Sequence, residues 1–245
     1  IGILGFIIRL GEEGLEILVQ AKPEPGNVNF VHAAPSVQAT ESNYKQYHGG
    51  KPTSFLQLFT GSPDSKIVSD SLQSEQGTRF LGKYNRNMMV LVASGDLFET
   101  SGSFSWFPVN SLLSLLTEDF LINTDARSVL VTSPWKFLAG KNVPFSPKCE
   151  HNQFRSLLFQ SYTATESVAI YSLDEIASRL EQVRFLEQFD TQVISLFHLA
   201  SWKVTDSSIV SNKSNGLLFK QYQVYSSDRE IDCWDQPLAS SNTDG

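Results

Sequence analysis

Residues 3–20 read ILGFIIRLGEEGLEILVQ, and this stretch predicts an antiparallel β-hairpin. Residues 3–9 are apolar and rich in β-branched side chains, and 11–14 supply a glycine-bounded turn. Residues 15–20 alternate apolar and polar side chains, as a returning strand with one buried face does. The sequence PEPGN at 23–27 then ends regular structure, because two prolines and a glycine cannot continue a hydrogen-bonded ladder.

Further strands and helices follow this hairpin. Strands are predicted at 36–40, 66–73, 88–93, 193–199, 217–224 and 230–234. Pro108 is expected to open a helix through Leu116, whereas 123–132 fits a helix and a strand equally well. Ser42 is expected to cap a short helix that Gly49 and Gly50 end. The pattern predicts an α+β or mixed α/β layered fold.

The best helix is predicted near 172–189. Its start, Ser172-Leu173-Asp174-Glu175, has the spacing of a capping box, in which the serine and the glutamate each bond the other's backbone N–H. Its apolar stripe is expected to pack on another element. The stripe consists of Ile176, Leu180, Val183 and Phe189.

The composition limits the class of protein. The chain has 245 residues, enough for one large or two small domains, and 41% of them are hydrophobic, which favours a globular fold. Nineteen basic and 26 acidic residues give a net charge of −7, which argues against nucleic acid as a partner. No apolar run reaches the roughly 18 residues of a membrane span.

Few residues in the sequence suggest a metal or a cofactor. The four histidines are scattered, and neither a P-loop nor a GxGxxG motif occurs, so we expect no metal site and no cofactor. Two cysteines, Cys149 and Cys233, favour a reduced, cytoplasmic setting. The start at Ile1, without an initiator methionine, suggests a segment or a processed chain.

Three polar clusters lie beside predicted apolar strands. They are Glu24, Asn27, Gln38, Thr40, Asn43, Tyr44 and His48; residues 73–77 with Arg79, Lys83, Asn85, Arg86 and Asn87; and Arg229, Glu230, Trp234, Gln236 and Pro237. Turns and helix caps use such residues for backbone reasons, and a solvated face with weak ion pairs uses such cations. Fork-shaped arginine donors among amides and aromatic rings equally suit a diphosphate joined to a sugar.

Six strings in the sequence resemble the NDP-hexose 2,3-dehydratases, which are enzymes of deoxysugar biosynthesis. They are QAKPEPGNVNF at 20–30, PSVQATESNY at 35–44, HGG at 48–50, QSEQGTRFLGKYNRN at 73–87, NTDAR at 123–127 and REIDCWDQP at 229–237. The resemblance covers nearly the whole chain. It implies a Nudix-hydrolase-like fold, two duplicated repeats in a full-length chain, a nucleotide-sugar pocket in each repeat, one of them a relic, and a dimer.

The order of these strings defines an expected domain organisation. In the family, the REI–WDQP segment precedes the GILGF segment within a repeat, whereas here it follows near the other end. We expect 1–145 to form the body of one repeat and 146–200 a connector. Residues 201–245 are then the opening strands of a following repeat or a permuted completion of the same one. The pocket is completed within the chain or by a tail exchanged with a second copy, as in a homodimer.

The resemblance implies a dTDP-linked 4-keto-6-deoxyglucose as substrate. The C4 carbonyl acidifies the C3 hydrogen, and the C2 hydroxyl leaves from the enolate, so the reaction needs acid–base groups and no redox cofactor. Glu75 or His48 is expected to act as base or acid, with Tyr44 as a second proton donor. The expected binding residues are Gln38, Asn43 and Asn85 for sugar oxygens, Arg79 and Arg86 for the diphosphate, Trp234 for thymine or ribose, and also Thr40 and Arg229.

Three of these residues equally suit a purely structural role, and two further functions fit parts of the sequence. Glu75 also suits a turn, His48 a helix end, and Trp234 a core. A Nudix-type hydrolase would need clustered carboxylates for Mg²⁺, but Arg79 is followed by Phe80 and Leu81 rather than by acids. A non-catalytic nucleotide-sugar-binding half of a duplicated enzyme has the same motifs as the enzyme.

Overall fold

The computed structural model describes residues 1–12, 14–47, 49–93, 102–134, 157, 169–187, 189–213, 216–227 and 229–241. The chain divides into two compact units, one comprising Ile1–Pro134 and Phe219–Ser240, the other Trp135–Leu218 and Ser241–Gly245. Strands hold more of the described residues than helices do, so the fold is mixed α+β with a large share of sheet. Each helix in the described ranges is too short or too polar to cross a lipid bilayer.

The predicted hairpin forms the centre of the first unit. β1 (Gly2–Gly11) and β2 (Gly14–Pro23) pair antiparallel around the turn from Gly11 to Gly14, which confirms the prediction. The other strands of this sheet are β3 (Val31–Ala34), β4 (Val37–Ala39), β5 (Ser65–Ser74), β6 (Tyr84–Val92) and β7 (Phe104–Pro108). The order is β3-β2-β1-β6-β5, while β4 pairs with β1 and β7 with β2. β1 and β6 run parallel.

A hydrophobic core cluster lies on one face of this sheet, which we call the core face, while Phe6, Ile8 and Met89 are buried on the opposite face, where helical residues 124–132 pack. Ile3 of β1, Val37 of β4 and Met88 of β6 are buried there against Phe59, from the 3₁₀ turn Leu56–Phe59. Gly5 permits the close approach, because a Cβ at that position would lie 2.1 Å from the Phe59 ring. The continuous apolar run that predicted a strand at 88–93 suits burial on both faces of the sheet, and Met88, Met89 and Val90 are all fully buried.

Three short α-helices occur among the described residues of the first unit: α1 (Glu41–Tyr44), α2 (Val109–Ser114) and α3 (Thr124–Thr132). Pro108 is the N-cap of α2, so the predicted helix is present but begins one residue later than expected, and it ends at Ser114, before the 3₁₀ turn Leu115–Thr117. The ambiguous 123–132 segment is helical. The prediction for α1 was wrong in its ends. Thr40, rather than Ser42, is its N-cap, and the helix ends at Tyr44, before the two glycines.

The second unit contains α4 (Leu173–Leu186), and its predicted capping box is present, with Ser172 and Glu175 bonded reciprocally. Within the described part of the chain, the expected stripe is not packed on another element: Ile176, Leu180 and Val183 are between 39% and 53% exposed, and Phe189 lies beyond the helix end. The strand predicted at 193–199 was wrong. The Ser195 side chain accepts a hydrogen bond from Phe197 N and begins the 3₁₀ turn Leu196–His198 there.

The remaining strands follow in the last quarter of the chain. β8 (Trp202–Val204) and β9 (Ser208–Ser211) pair antiparallel. β10 (Leu217–Tyr225) matches the predicted strand and neighbours β11 (Cys233–Ser241), which begins three residues later than the predicted 230–234 strand does. The expected connector between 141 and 153 lies outside the described residues.

Candidate functional site

Polar side chains gather beside the buried apolar ones on the sheet face opposite the core face. Leu4 of β1 is in register with Gln38 of β4 and with Asn87 of β6, so these three side chains share a face. Asn85 lies two residues before Asn87 and shares it too. Helix α3 packs over this surface, and the Asn87 amide donates to Ser128 Oγ at 2.9 Å. We call this surface the α3 face.

Asn123 ties the start of α3 to two side chains beneath it. Its Oδ1 accepts from Ala126 N at 2.8 Å, which caps the helix. Its amide donates to Gln38 Oε1 at 2.9 Å and to Glu24 Oε2 at 3.2 Å. The Gln38 amide in turn donates to Glu24 Oε1 at 2.8 Å. Glu24, Gln38 and Asn123 thus form a closed triangle of hydrogen bonds, so the helix start and the polar side chains are fixed together.

A buried lysine lies beside this triangle. Lys22 is 2% exposed, and its Nζ donates to the Gln38 carbonyl oxygen at 2.9 Å. Burial, followed by the charge of Arg229, lowers the pKa of Lys22 to about 8, while Glu230, Glu24 and Asp125 act in the opposite direction. The site therefore contains a buried amine whose charge is opposed by desolvation and supported by three carboxyl groups.

The second polar cluster joins at the beginning of β6. Asn85, 7% exposed, donates from its amide to Glu75 Oε1 at 2.5 Å, and Lys83 Nζ lies 3.5 Å from the same oxygen. Gly2, in register with Asn85, has to be small, because a Cβ there would lie 2.5 Å from Asn85 Oδ1. The Glu75 carboxylate therefore faces hydrogen-bond donors.

Asp125, in the first turn of α3, interacts electrostatically with Glu24 of the triangle and with Glu75. Burial, followed by the nearby carboxylates of Glu24 and Glu75, raises the pKa of Asp125 to about 6, against the opposing charges of Lys22 and Lys83. The site thus combines one carboxylate held by donors with a second carboxyl that retains its proton to higher pH. Such a pair supplies a base and an acid at one place.

Two cavities meet at Arg229. The first, of about 430 Å³, is bounded by Gln38, residues 51–54, Phe104 and Glu230, and we call it the polar cavity. The second, of about 400 Å³, is bounded by Asn43, residues 229–231 and Trp234, and we call it the tryptophan cavity. Both have the volume of small-ligand pockets.

Arg229 is held in place by three contacts. Its Nη1 donates to the Pro23 carbonyl oxygen at 2.9 Å, its Nε lies 3.6 Å from a Glu230 oxygen, and its guanidinium lies 5.3 Å from the centre of a Trp234 ring. Lys51 N donates to the Glu230 carbonyl at 2.7 Å. The 229–234 segment therefore lies against the body of the first unit and places a cation where the cavities meet.

The other predicted site residues do not all border the two cavities. Asn43 borders the tryptophan cavity. Thr40 caps α1, and the Tyr44 hydroxyl donates to the Ile1 carbonyl oxygen at 3.0 Å. Arg79 is exposed in the turn after Glu75. His48 lies outside the described residues.

Arg86 departs from the expected arrangement. Its side chain lies on the opposite face from Asn85 and Asn87, because successive residues of a strand alternate. There its Nε donates to Asp70 Oδ1 at 2.8 Å and its Nη2 donates to Asp70 Oδ2. Arg86 is thus paired within the sheet and is separate from the α3 face.

Four residues of the site were not among those predicted to work there: Lys22, Glu24, Asn123 and Asp125. Glu24 was noted in the sequence as part of a polar cluster. The other three lie within the strings that carry the family resemblance, and Asn123 also precedes a helix, as an N-cap does. Burial of Lys22 has no comparable signal, because lysine is ordinarily exposed.

Known proteins resemble this chain along its length. A family model described as NDP-hexose 2,3-dehydratase matches residues 1–132. A dTDP-4-dehydro-6-deoxy-alpha-D-glucopyranose 2,3-dehydratase of Saccharopolyspora spinosa is 30% identical over 100% of this chain and 49% of its own length. Proteins of the same name match from Amycolatopsis orientalis, 30% identical over 98% of this chain, and Streptomyces violaceoruber, 41% identical over 54%.

The chain spans about half the length of the first two relatives, 49% and 45%. The family match covers 132 of the 245 residues, from β1 to the end of α3, and so includes the triangle, Lys22, Glu75 and Asp125. The chain belongs to the NDP-hexose 2,3-dehydratase family.

Proposed function

We propose that this chain removes the C2 hydroxyl of a dTDP-linked 4-keto-6-deoxyhexose to give a 3,4-diketo-2,6-dideoxy sugar nucleotide. One observation carries the proposal: in a chain of this family, two carboxyl groups with opposite surroundings, Glu75 and Asp125, are near enough for their charges to interact. Lys22 interacts electrostatically both with Asp125 and with Arg229, the residue that borders both cavities. The names of the three relatives support the substrate class.

The substrate supplies most of the electronic driving force. A base removes the C3 proton, and the electron pair passes into the enolate on C4. The enolate then expels the C2 hydroxyl, which takes up a proton and leaves as water. The product enol tautomerises to the diketone, so atoms and electrons balance without a redox partner.

Glu75 and Asp125 fit the two proton transfers. Glu75 accepts hydrogen bonds from Asn85 and approaches Lys83, so we assign it as the base. Asp125 keeps its proton to about pH 6 beside two carboxylates, so we assign it as the donor to the departing hydroxyl. His48 and Tyr44, the other groups predicted from the sequence, remain candidates for that donor role.

The binding roles follow from position. Gln38, Asn85 and Asn43 are proposed to contact sugar oxygens, and Trp234 to stack on thymine or ribose. Arg229, with Arg79 from the nearby turn and Thr40 beside Asn43, is proposed to receive the diphosphate end. Arg86 is not part of this proposal, because Asp70 neutralises it on the other face.

The larger architecture is also a proposal. A Nudix-like repeat with its body in 1–145, a connector over 146–200 and a completing segment in 201–245 is consistent with the contact of Arg229 on Pro23. Since the chain spans about half of its relatives, we propose that a second repeat or a second copy of this chain accompanies it.

Turnover of dTDP-4-keto-6-deoxyglucose, followed by mass spectrometry for loss of water, tests the proposal. Glu75→Gln should lower kcat by at least about 100-fold, because a positioned base contributes that much. The matched control is Asp119→Asn, which changes an exposed carboxylate to which the proposal gives no role. If Glu75→Gln and His48→Asn both retain the wild-type kcat, the base is neither of these residues.

A second function has one observation in its favour. The coverage of about half of each relative fits a nucleotide-sugar-binding half without catalytic activity. Calorimetric binding of the substrate without any turnover would select this alternative. Binding together with turnover would exclude it.

A further inference from the structure

The polar cavity contains a buried hydroxyl that has no hydrogen-bond partner in the part of the chain that the structure describes. Thr53 is 9% exposed, and its Oγ1 makes no hydrogen bond within the described residues. Thr53 is part of the cavity wall, between Lys51 and Ser54. Burying a hydroxyl without a hydrogen bond raises the free energy of the folded state. A ligand oxygen that bonds to Thr53 Oγ1 would remove this penalty.

The surrounding wall suits a ring that carries hydroxyl groups. Side chains with amide or hydroxyl ends, Gln20, Gln38 and Ser54, line the cavity together with the ring of Phe104. A few polar groups beside an apolar or aromatic surface are typical of small-ligand sites, and about 430 Å³ is within their range. The cavity is therefore built for a compact polar ligand rather than for an apolar one.

The position of the cavity indicates which part of a nucleotide sugar it takes. Gln38 is part of the cavity wall and, through its side chain, of the triangle with Glu24 and Asn123, so this residue connects the cavity with the Glu24 carboxylate. Arg229 separates it from the cavity that contains Trp234. The polar cavity, the Arg229 guanidinium and the Trp234 indole therefore lie in the same order as the hexose, the diphosphate and the base of a nucleotide sugar.

We infer that the polar cavity is the hexose subsite and that Thr53 Oγ1 is a specificity-determining contact to a hexose oxygen. The inference rests on the proposed function for the identity of the ligand. It assigns to Thr53 a role that differs from the proton transfers of Glu75 and Asp125. The residue recognises the sugar and takes no part in the chemistry.

A matched pair of variants isolates this hydroxyl. Thr53→Val keeps the shape and removes the oxygen, whereas Thr53→Ser keeps the oxygen and removes a methyl group. The probes are dTDP-glucose, which lacks the C4 ketone and so is not dehydrated, and dTDP, which lacks the hexose. Isothermal titration calorimetry measures both dissociation constants for the wild-type chain and for each variant.

The expected result is selective. Thr53→Val should weaken binding of dTDP-glucose by about 3- to 10-fold, the contribution of one hydrogen bond, with dTDP binding unchanged. Thr53→Ser should bind both probes within about 2-fold of the wild type. The melting temperature of the ligand-free Thr53→Val variant should stay the same or rise, because an unpaired buried hydroxyl is gone.

Three outcomes overturn the inference. Unchanged binding of dTDP-glucose to Thr53→Val, an equal loss for dTDP, or a wild-type chain that binds neither probe would each show that Thr53 does not contact a hexose. Selective loss for Thr53→Val in a chain that never dehydrates its substrate would keep the subsite and reject the proposed reaction. The two proposals can thus fail separately.

Discussion

Asn85 and Arg86 are consecutive residues of β6 whose side chains leave the sheet on opposite faces. Asn85 donates to Glu75 on the α3 face, whereas Arg86 makes a two-pronged contact with Asp70 on the other face. The hydrogen bond with Asp70 is the main reason that the pKa of Arg86 is raised. Two neighbouring polar residues of one motif therefore have separate roles, one at the site and one within the sheet.

Substitution of these two neighbours should have unequal effects on turnover. Asn85→Ala removes a donor from the Glu75 carboxylate and should lower kcat by about 10-fold or more. Arg86→Met should leave kcat and KM within about 2-fold of the wild type and cost less than about 1 kcal/mol of stability, because the ion pair is partly exposed. Steady-state kinetics and urea denaturation measure both. A larger kinetic effect of Arg86→Met than of Asn85→Ala would contradict this division.

Asp125 should make stability depend on pH. Its pKa is raised from 3.8 to about 6 in the folded chain, so the folded state holds this proton more tightly than the unfolded state does. The resulting stabilisation is complete below about pH 4 and is lost as the pH rises to about 6. Asp125→Asn cannot ionise and should be more stable than the wild type at about pH 8, but not at about pH 4.

Urea midpoints of both proteins at the two pH values check this expectation. Asp119→Asn serves as the control, because Asp119 is exposed. A difference between wild type and Asp125→Asn that is the same at both pH values would show that Asp125 does not titrate as described.

Asn123 should matter to stability for two separable reasons. Asn123→Ala removes the helix cap and the donations to Gln38 and Glu24, and we expect a loss of about 2 kcal/mol. Asn123→Asp keeps an acceptor for Ala126 N but places a carboxylate beside Glu24, so it should also be destabilised at neutral pH and recover in mild acid. Chemical denaturation at both pH values measures this. A fully stable Asn123→Asp variant at neutral pH would mean that only the cap matters.

Gly5 should not tolerate a methyl group. A Cβ at Gly5 would overlap the ring of Phe59, which is 1% exposed and enclosed by the core. Gly5→Ala should therefore destabilise the chain by about 2 kcal/mol, as overpacking of a core does. Gly77→Ala is the matched control, because nothing lies within 4 Å of its added Cβ. Equal midpoints of thermal unfolding for the two variants would contradict the close packing at Gly5.

Short-range sequence patterns were sufficient to predict those elements whose structure depends mainly on neighbouring residues. The hairpin from β1 to β2, the capping box of Ser172 and Glu175, and the start of α2 after Pro108 follow from short-range patterns. The apolar run at 193–199 failed because such a run is compatible with several structures, and here the Ser195 hydroxyl begins a helical turn.

Motifs in the sequence indicated which segments contribute to the candidate site, but not which of their side chains come together. Which side chains of β6 face α3 depends on the pairing of β6 with β1, a contact between residues far apart in sequence. The buried Lys22 donates a hydrogen bond to Gln38 and interacts electrostatically with Arg229 and Glu230, none of which is local to β2. Long-range packing therefore decided the separation of Arg86 from Asn85 and the inclusion of Asp125.

The parallel alignment of β1 with β6 has a consequence for how the molecule reaches its native state. Parallel neighbouring strands need a long crossover connection. Here Gly2 of β1 has to pair with Asn85 of β6 before the polar side chains of the α3 face come together. Closing the loop between β1 and β6 lowers the entropy of the chain before any contact between the two strands offsets that loss. The pairing of β1 with β6 is therefore intrinsically slow. A growing polypeptide can complete the β1–β2 hairpin early, yet the two cavities at Arg229 are complete only after the chain emerging from the ribosome has extended past Asp235.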